Sequence, residues 1–201
     1  MVISFGNPDS VLVQFNSTNI ETLVTHIPSK VDAWIDYVEL LYRHSLDNLI
    51  VGFDIEWRPA FNSNIHNPVA IVQLCVGRNC LIFQLIHAQF IPRSLIDFLG
   101  NSYYRFVGVG IRNDVEKLLY DYGLFVRNWV EVRDLATIAY GDPNMRNTSL
   151  KNLAGTVLGM EIEKPRAITL GRWDKLDLDS EQVKYACVDA FVSYELGKRL
   201  V

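Results

Sequence analysis

The sequence predicts an α/β protein, a mixed central sheet of about five or six strands with helices on both faces. Two observations predict it. Strand-like segments cluster in the first half of the chain, and beyond them short apolar segments alternate with helical periodicity. A run of strands followed by such alternation is the pattern of a sheet covered by helices.

The elements follow in order. SVLVQFN and NIETLVTHI alternate apolar and polar residues around polar Ser17-Thr18-Asn19, the pattern of a hairpin. SKVDAWIDYVELLYRH places Trp34, Tyr37, Val38 and Leu41 on one helical stripe, with Ser29 as N-cap and Asp32 three residues on. LIVGFDIEW, PVAIVQLCVG and NCLIFQL read as three strands, the last two joined by a tight turn at Gly77-Arg78-Asn79. PRSLIDFLG is a short helix and YRFVGVGI a strand in which Val107, Val109 and Ile111 are buried. A helix starting near Asn113 runs through DVEKLLYDYG and stops at Gly123. VEV is a short strand before the helix DLATIAYG, and SLKNLAGTVLG is a helix ending at a glycine. The last helix, SEQVKYACVDAFVSYELGKRL, is opened by Asp179 or Ser180 and ends in Lys198 and Arg199, as the helix dipole prefers.

Length and composition bound the class. The chain has 201 residues, 49% apolar and 21% charged, which suits one globular domain over 1–201 with a sizeable core. Within it, a hairpin and helix over 10–45 precede the segment 49–201. No linker, repeat or low-complexity tract divides it. Nineteen basic against twenty-three acidic residues give a net charge of −4, which argues against broad electrostatic attraction to nucleic acid but leaves room for a local basic groove. Three cysteines, Cys75, Cys80 and Cys187, without CxxC spacing argue against a disulfide framework or a zinc site. MVISFGNPDS lacks the pattern of a signal peptide, and no apolar run is long enough to span a membrane. The expectation is an intracellular protein, nuclear or cytoplasmic, with no membrane partner.

Chemistry enters at VGFDIEWRPA. Asp54 and Glu56 stand two apart in a strand, hence on one face and about 7 Å apart along the chain. Two such acids repel and are costly to desolvate. Alone, the pair reads more readily as a solvated strand end than as a site. GVGIRNDVEKL adds Asp114 in the first turn of a helix, where the dipole alone would favour an acid. YACVD adds Tyr185 and Asp189, four apart on one helical face, which a core tyrosine satisfied by a neighbouring acid would also explain. The glycines of VGVGI form no phosphate loop, since GxGxxG fails at Asn113, and they read as allowing close backbone packing.

Together, F-D-I-E-W, G-V-G-I-R-N-D-V-E-K-L and Y-A-C-V-D resemble the DEDD superfamily of 3′–5′ exonucleases, in the subgroup that carries tyrosine. Lys184 stands where no histidine does, which excludes the histidine subgroup. FDIEWRP, VGVGIRNDVEKL, RDLATIAY and SLKNLAGTVLG resemble most the Werner-syndrome exonuclease group and its stand-alone plant-type members. The resemblance runs from about Leu49 to Val201. One departure is Gly171-Arg172-Trp173, where many members have Ser-Asn-Trp.

The resemblance implies an RNase H-like sheet and hydrolysis of phosphodiester bonds from the 3′ end with Mg²⁺ or Mn²⁺, DNA slightly favoured over RNA. Two hard divalent ions, clamping the attacking and leaving oxygens, take carboxylate ligands. By analogy Asp54 bridges both ions, Glu56 and Asp189 hold the ion that binds the attacking water, Asp114 positions the second, and Tyr185 orients the water. Nucleic-acid 3′ ends are the expected partner, and a homo-oligomer is left open. Trp57, Arg58, Arg112, Lys164 and Arg172 are candidate substrate contacts, with Lys151 and Arg166 as further basic residues. Trp57 reads also as core and the cations as solvated charges. His26, His44, His66 and His87 show no metal spacing. The alternative reading is an idle module of the same fold that binds or assembles without cleaving.

Overall fold

The computed structural model describes residues 10–60 and 65–201. The reading of MVISFGNPDS concerns residues that, but for Ser10, lie outside these. Seven strands form one sheet in the order β1-β2-β5-β4-β3-β6-β7, against the five or six expected. The strands are β1 (Ser10–Phe15), β2 (Thr18–Thr25), β3 (Ile50–Trp57), β4 (Val69–Val76), β5 (Asn79–Phe83), β6 (Arg105–Gly108) and β7 (Trp129–Glu131). The larger number arises because the N-terminal hairpin does not stand apart. β2 pairs parallel with β5 and extends the sheet. β3, β4 and β5 are antiparallel neighbours, whereas β3, β6 and β7 run parallel.

The helices are α1 (Pro28–Leu41), α2 (Arg93–Leu99), α3 (Ile111–Tyr122), α4 (Val132–Tyr140), α5 (Leu150–Leu153), α6 (Arg166–Thr169) and α7 (Ser180–Leu200). Two buried cores flank the sheet. Val51, Phe53 and Ile55 of β3 pack with Trp34, Phe98, Ile111 and Leu118 on the α1–α3 side. On the other side Ile71 and Ile82 pack with Val132, Leu153, Ala186, Ala190 and Phe191. Helices thus cover both faces. Among the described residues no helix is long and apolar enough to cross a membrane.

Local readings are corrected at four places. Helix α1 starts one residue before Ser29, with Pro28 at its first position and Ile27 as N-cap, because proline's fixed φ suits that position. Its buried stripe is accordingly Val31, Trp34, Ile35 and Val38, and Leu41 is exposed. The hairpin turns at Asn16-Ser17, and Asn16 takes the left-handed φ of 51°. β6 stops at Gly108, so Ile111 opens a helix rather than closing a strand. Finally, Cys75 and Cys80 form a disulfide, contrary to the reading of the cysteine spacing. The two-residue turn Gly77-Arg78 sets them directly opposite in the β4–β5 register, 4.2 Å apart at Cα. Cys187 is free and buried.

Helix α7 organises the second core. Asp179 accepts from the Gln182 N–H and the Gln182 side chain returns to the Asp179 N–H, a reciprocal cap that fixes its start. Ala186, Cys187, Ala190 and Ser193 keep the buried face narrow enough for the helix to lie close on the central strands. SLKNLAGTVLG forms α5 continued by a π-turn over Ala154–Leu158, stopped at Gly159.

Candidate active site

Three elements bring the acids together. Alternation along β3 sends Val51, Phe53 and Ile55 into the α1–α3 core, leaving Asp54 and Glu56 on the face covered by α7. Gly52 lets α7 come close: a Cβ there would collide with the Ala190 carbonyl and the Tyr194 backbone nitrogen. Asp189, adjacent to Ala190, is thereby set beside β3. Ligand oxygens of Asp54, Glu56 and Asp189 all lie within 4.8 Å of one another. Asp114 enters from the first turn of α3, aimed by Gly110, whose left-handed φ of 79° turns the chain straight from β6 into the helix.

Burial and mutual repulsion dominate the electrostatics. Burial, and then the Asp189 carboxylate, push Asp54 up to about 7. Burial, followed by Asp54 and Asp189, raises Glu56 to about 10. Burial, then Asp54 and Glu131, lift Asp114 to about 8. Asp189 is also raised by burial, against the opposing pull of Lys164. The Tyr185 hydroxyl, raised by burial and by Asp189, accepts from Thr169 Oγ1 at 3.3 Å. Its ring packs on Trp173, which is fully buried.

The expected substrate contacts disperse. Lys164 joins the acids, its Nζ 2.6 Å from Asp189 Oδ2. Arg58 and Arg172 converge instead on Asp174, at 3.4 and 3.0 Å. Trp57 packs against the α1–α3 core with Lys117 Nζ 5.1 Å above its ring. Arg112 stacks on Trp129, 5.5 Å from its centroid, in a groove beside the start of α3. Three contributors had no signal in the motifs. Glu131 accepts the Gly110 N–H and pairs with Arg133, so it braces the turn that aims Asp114. Thr169 holds the Tyr185 hydroxyl. Gln73, fully buried, lies directly opposite Asp54 in the β3–β4 register and has neither amide atom hydrogen-bonded.

A helix-covered α/β sheet with a cluster of carboxylates gathered at a central strand is the class this chain represents. Residues 25–201 match the family described as 3′–5′ exonuclease, and the chain belongs to that family. A 3′–5′ exonuclease of Arabidopsis thaliana is 38% identical over 152 residues, 75% of this chain and 52% of that protein. The bifunctional 3′–5′ exonuclease/ATP-dependent helicase WRN of Mus musculus is 32% identical over 77% of this chain but only 11% of its own length. The chain therefore spans about half of the plant relative and a small part of the mouse one. A crystal structure of the EXD2 exonuclease domain, soaked in Mg and GMP, shares 30% identity over 89% of this chain and 87% of that one, with a TM-score of 0.50. The Nibbler EXO domain of Aedes aegypti shares the fold, with a TM-score of 0.70 at 18% identity over 89% and 86% of the two chains.

Proposed function

We propose that the protein is a 3′–5′ exonuclease that removes nucleotides from nucleic-acid 3′ ends with Mg²⁺ or Mn²⁺, DNA slightly favoured over RNA. The observation that carries this reading is the clustered Asp54–Glu56–Asp189 group, with Asp189 buried and the other two half-buried. Such a group is unfavourable without a cation, and its all-oxygen donors suit a hard divalent ion rather than a soft one. The metal soak of the related EXD2 domain agrees with that donor chemistry.

Asp54, Glu56 and Asp189 would hold one ion, and Asp54 with Asp114 a second. Bound there, such ions would lower the pKa of a water and neutralise charge at the attacking and leaving oxygens. The chain's own groups do the remaining work. Tyr185 has its hydroxyl oxygen held by Thr169 and its pKa raised by burial, so it would orient a water rather than deprotonate it. The buried Trp173 ring behind it holds the phenol in place. Glu131 keeps Gly110 in its turn and so Asp114 in register with Asp54. Arg112, which lines the groove beside α3, would meet backbone phosphates.

Calorimetric titration with Mn²⁺ tests the ligand set without relying on turnover. The wild type should bind and Asp54→Asn should not. Equal binding by both would overturn the reading.

A further inference from the structure

Lys164 occupies an unusual position for a residue of an irregular segment. It lies between the π-turn and α6, where residues 159–165 form neither helix nor strand. Its ammonium is 2.6 Å from Asp189, whose side chain is 3% exposed, and 5.2 Å from the Tyr185 ring centroid. The charges facing it come from every element around the site: Asp54 and Glu56 of β3, Asp114 of α3, and Asp189 with Tyr185 of α7. Lys164 acts electrostatically on all four carboxylates. The other cation near Asp114, Arg133, is engaged by Glu131. Nothing in a regular element fixes the lysine backbone, whereas the acids sit on β3, α3 and α7.

We infer that Lys164 is an internal counter-ion of these acids, which competes with a divalent ion for Asp189. The inference rests on the metal-binding reading above and adds a competitor to it. A cation that is covalently tethered and already paired is present at high effective concentration. A divalent ion must therefore displace the ammonium from Asp189 as it binds. The ammonium so released remains beside the site, where a phosphodiester can take it up. Metal and strand then favour each other's binding, because each removes a partner that the other would have to displace.

Two measurements test this on the full chain. In Mn²⁺ calorimetry, Lys164→Gln should bind about tenfold more tightly than wild type, and Lys164→Arg should stay close to wild type. Its metal-free melting temperature should fall, so that the rise on adding Mn²⁺ is larger. Reductive methylation read by mass spectrometry follows the ammonium itself. Lys164 should be protected in EDTA and modified in Mg²⁺. Unchanged Mn²⁺ affinity in Lys164→Gln, or equal methylation with and without Mg²⁺, would overturn the inference. Asp54→Asn keeps the two readings separable. If it abolishes Mn²⁺ binding while Lys164→Gln behaves as wild type, the ligand set stands and the counter-ion does not. If it binds Mn²⁺ normally, the ligand set itself fails.

Discussion

The Cα of Gly52 on β3 lies against the carbonyl oxygen of Ala190 on α7, with no room for a side chain between them. The contact sets two acids at once, since Asp54 is two residues along the strand and Asp189 is the helix neighbour of Ala190. Gly52→Ala should push α7 off the sheet, lowering stability by about 3 kcal/mol, as overpacking of a tight core does. It should also weaken Mn²⁺ binding although no ligand is changed. Denaturant melts paired with calorimetry check this. A variant with lower stability and full Mn²⁺ affinity would mean that the contact serves packing alone.

Tyr185 and Asp189 should fail differently. Asp189→Ala removes a proposed ligand and should abolish Mn²⁺ binding and cleavage together. Tyr185→Phe keeps the ring on Trp173 and removes only the hydroxyl. Metal affinity should survive while single-turnover cleavage slows about 10²-fold, as loss of one positioned group does. Unchanged turnover would make Tyr185 a packing residue.

Two acids of α3, Asp114 and Asp121, separate structure from chemistry. Asp121 is fully buried at its side chain, accepts the Val69 N–H at 2.7 Å and pairs with Lys117 and His66. Asp121→Ala should cost about 2 kcal/mol by leaving that N–H without a partner, with Mn²⁺ affinity intact. Asp114→Asn should do the reverse, stabilising the metal-free protein at pH 8 and weakening metal binding. Thermal melts in EDTA distinguish them, and destabilisation by both variants would place Asp114 with the structural acids.

The raised carboxylates set the sign of the pH dependence. Asp54, at about 7, and Asp114, at about 8, hold protons in the folded state that the unfolded chain has already released. Raising pH from about 5 to 8 therefore favours unfolding of the metal-free protein, and Glu56, at about 10, extends the loss upward. Asp121 and Asp174 are held low, so their contributions are lost only on acidification, outside this window. Melting temperature in EDTA should fall between pH 5 and 8, and Asp54→Asn should flatten the slope. Excess Mn²⁺ should reverse it, because bound metal favours the ionised carboxylates. A melting temperature that rises with pH in EDTA would contradict these shifts.

What the sequence reveals here follows the range of each interaction. Asp54 and Glu56 are legible because strand alternation is local, and Tyr185 and Asp189 because i, i+4 spacing is local. Asp114 needed only the turn after β6. Even so, VGVGI imitates a strand while Gly110 already turns the chain into α3. The placement of Lys164 is not legible, since its segment carries no periodicity and its partner lies 25 residues away. The same holds for Glu131, which reaches back 21 residues to Gly110. The disulfide was legible in principle, through the turn at Gly77-Arg78 that fixes the register of Cys75 and Cys80, but not through cysteine spacing. Trp57 shows the opposite limit. Its position after the acids suggests the substrate, but β3 sends it to the other core.

Directional cleavage at the carboxylate site is read most directly from the length of a labelled strand. A strand labelled at its 5′ end is incubated with wild type or Asp54→Asn, in Mg²⁺, Mn²⁺ or EDTA, as single-stranded DNA, 3′-recessed duplex and RNA. The wild type should shorten the strand progressively from the 3′ end with either metal, most readily on DNA. None is expected in EDTA or from Asp54→Asn. No shortening of any of the three substrates by the wild type with either metal, or equal shortening by Asp54→Asn, would contradict cleavage at this site.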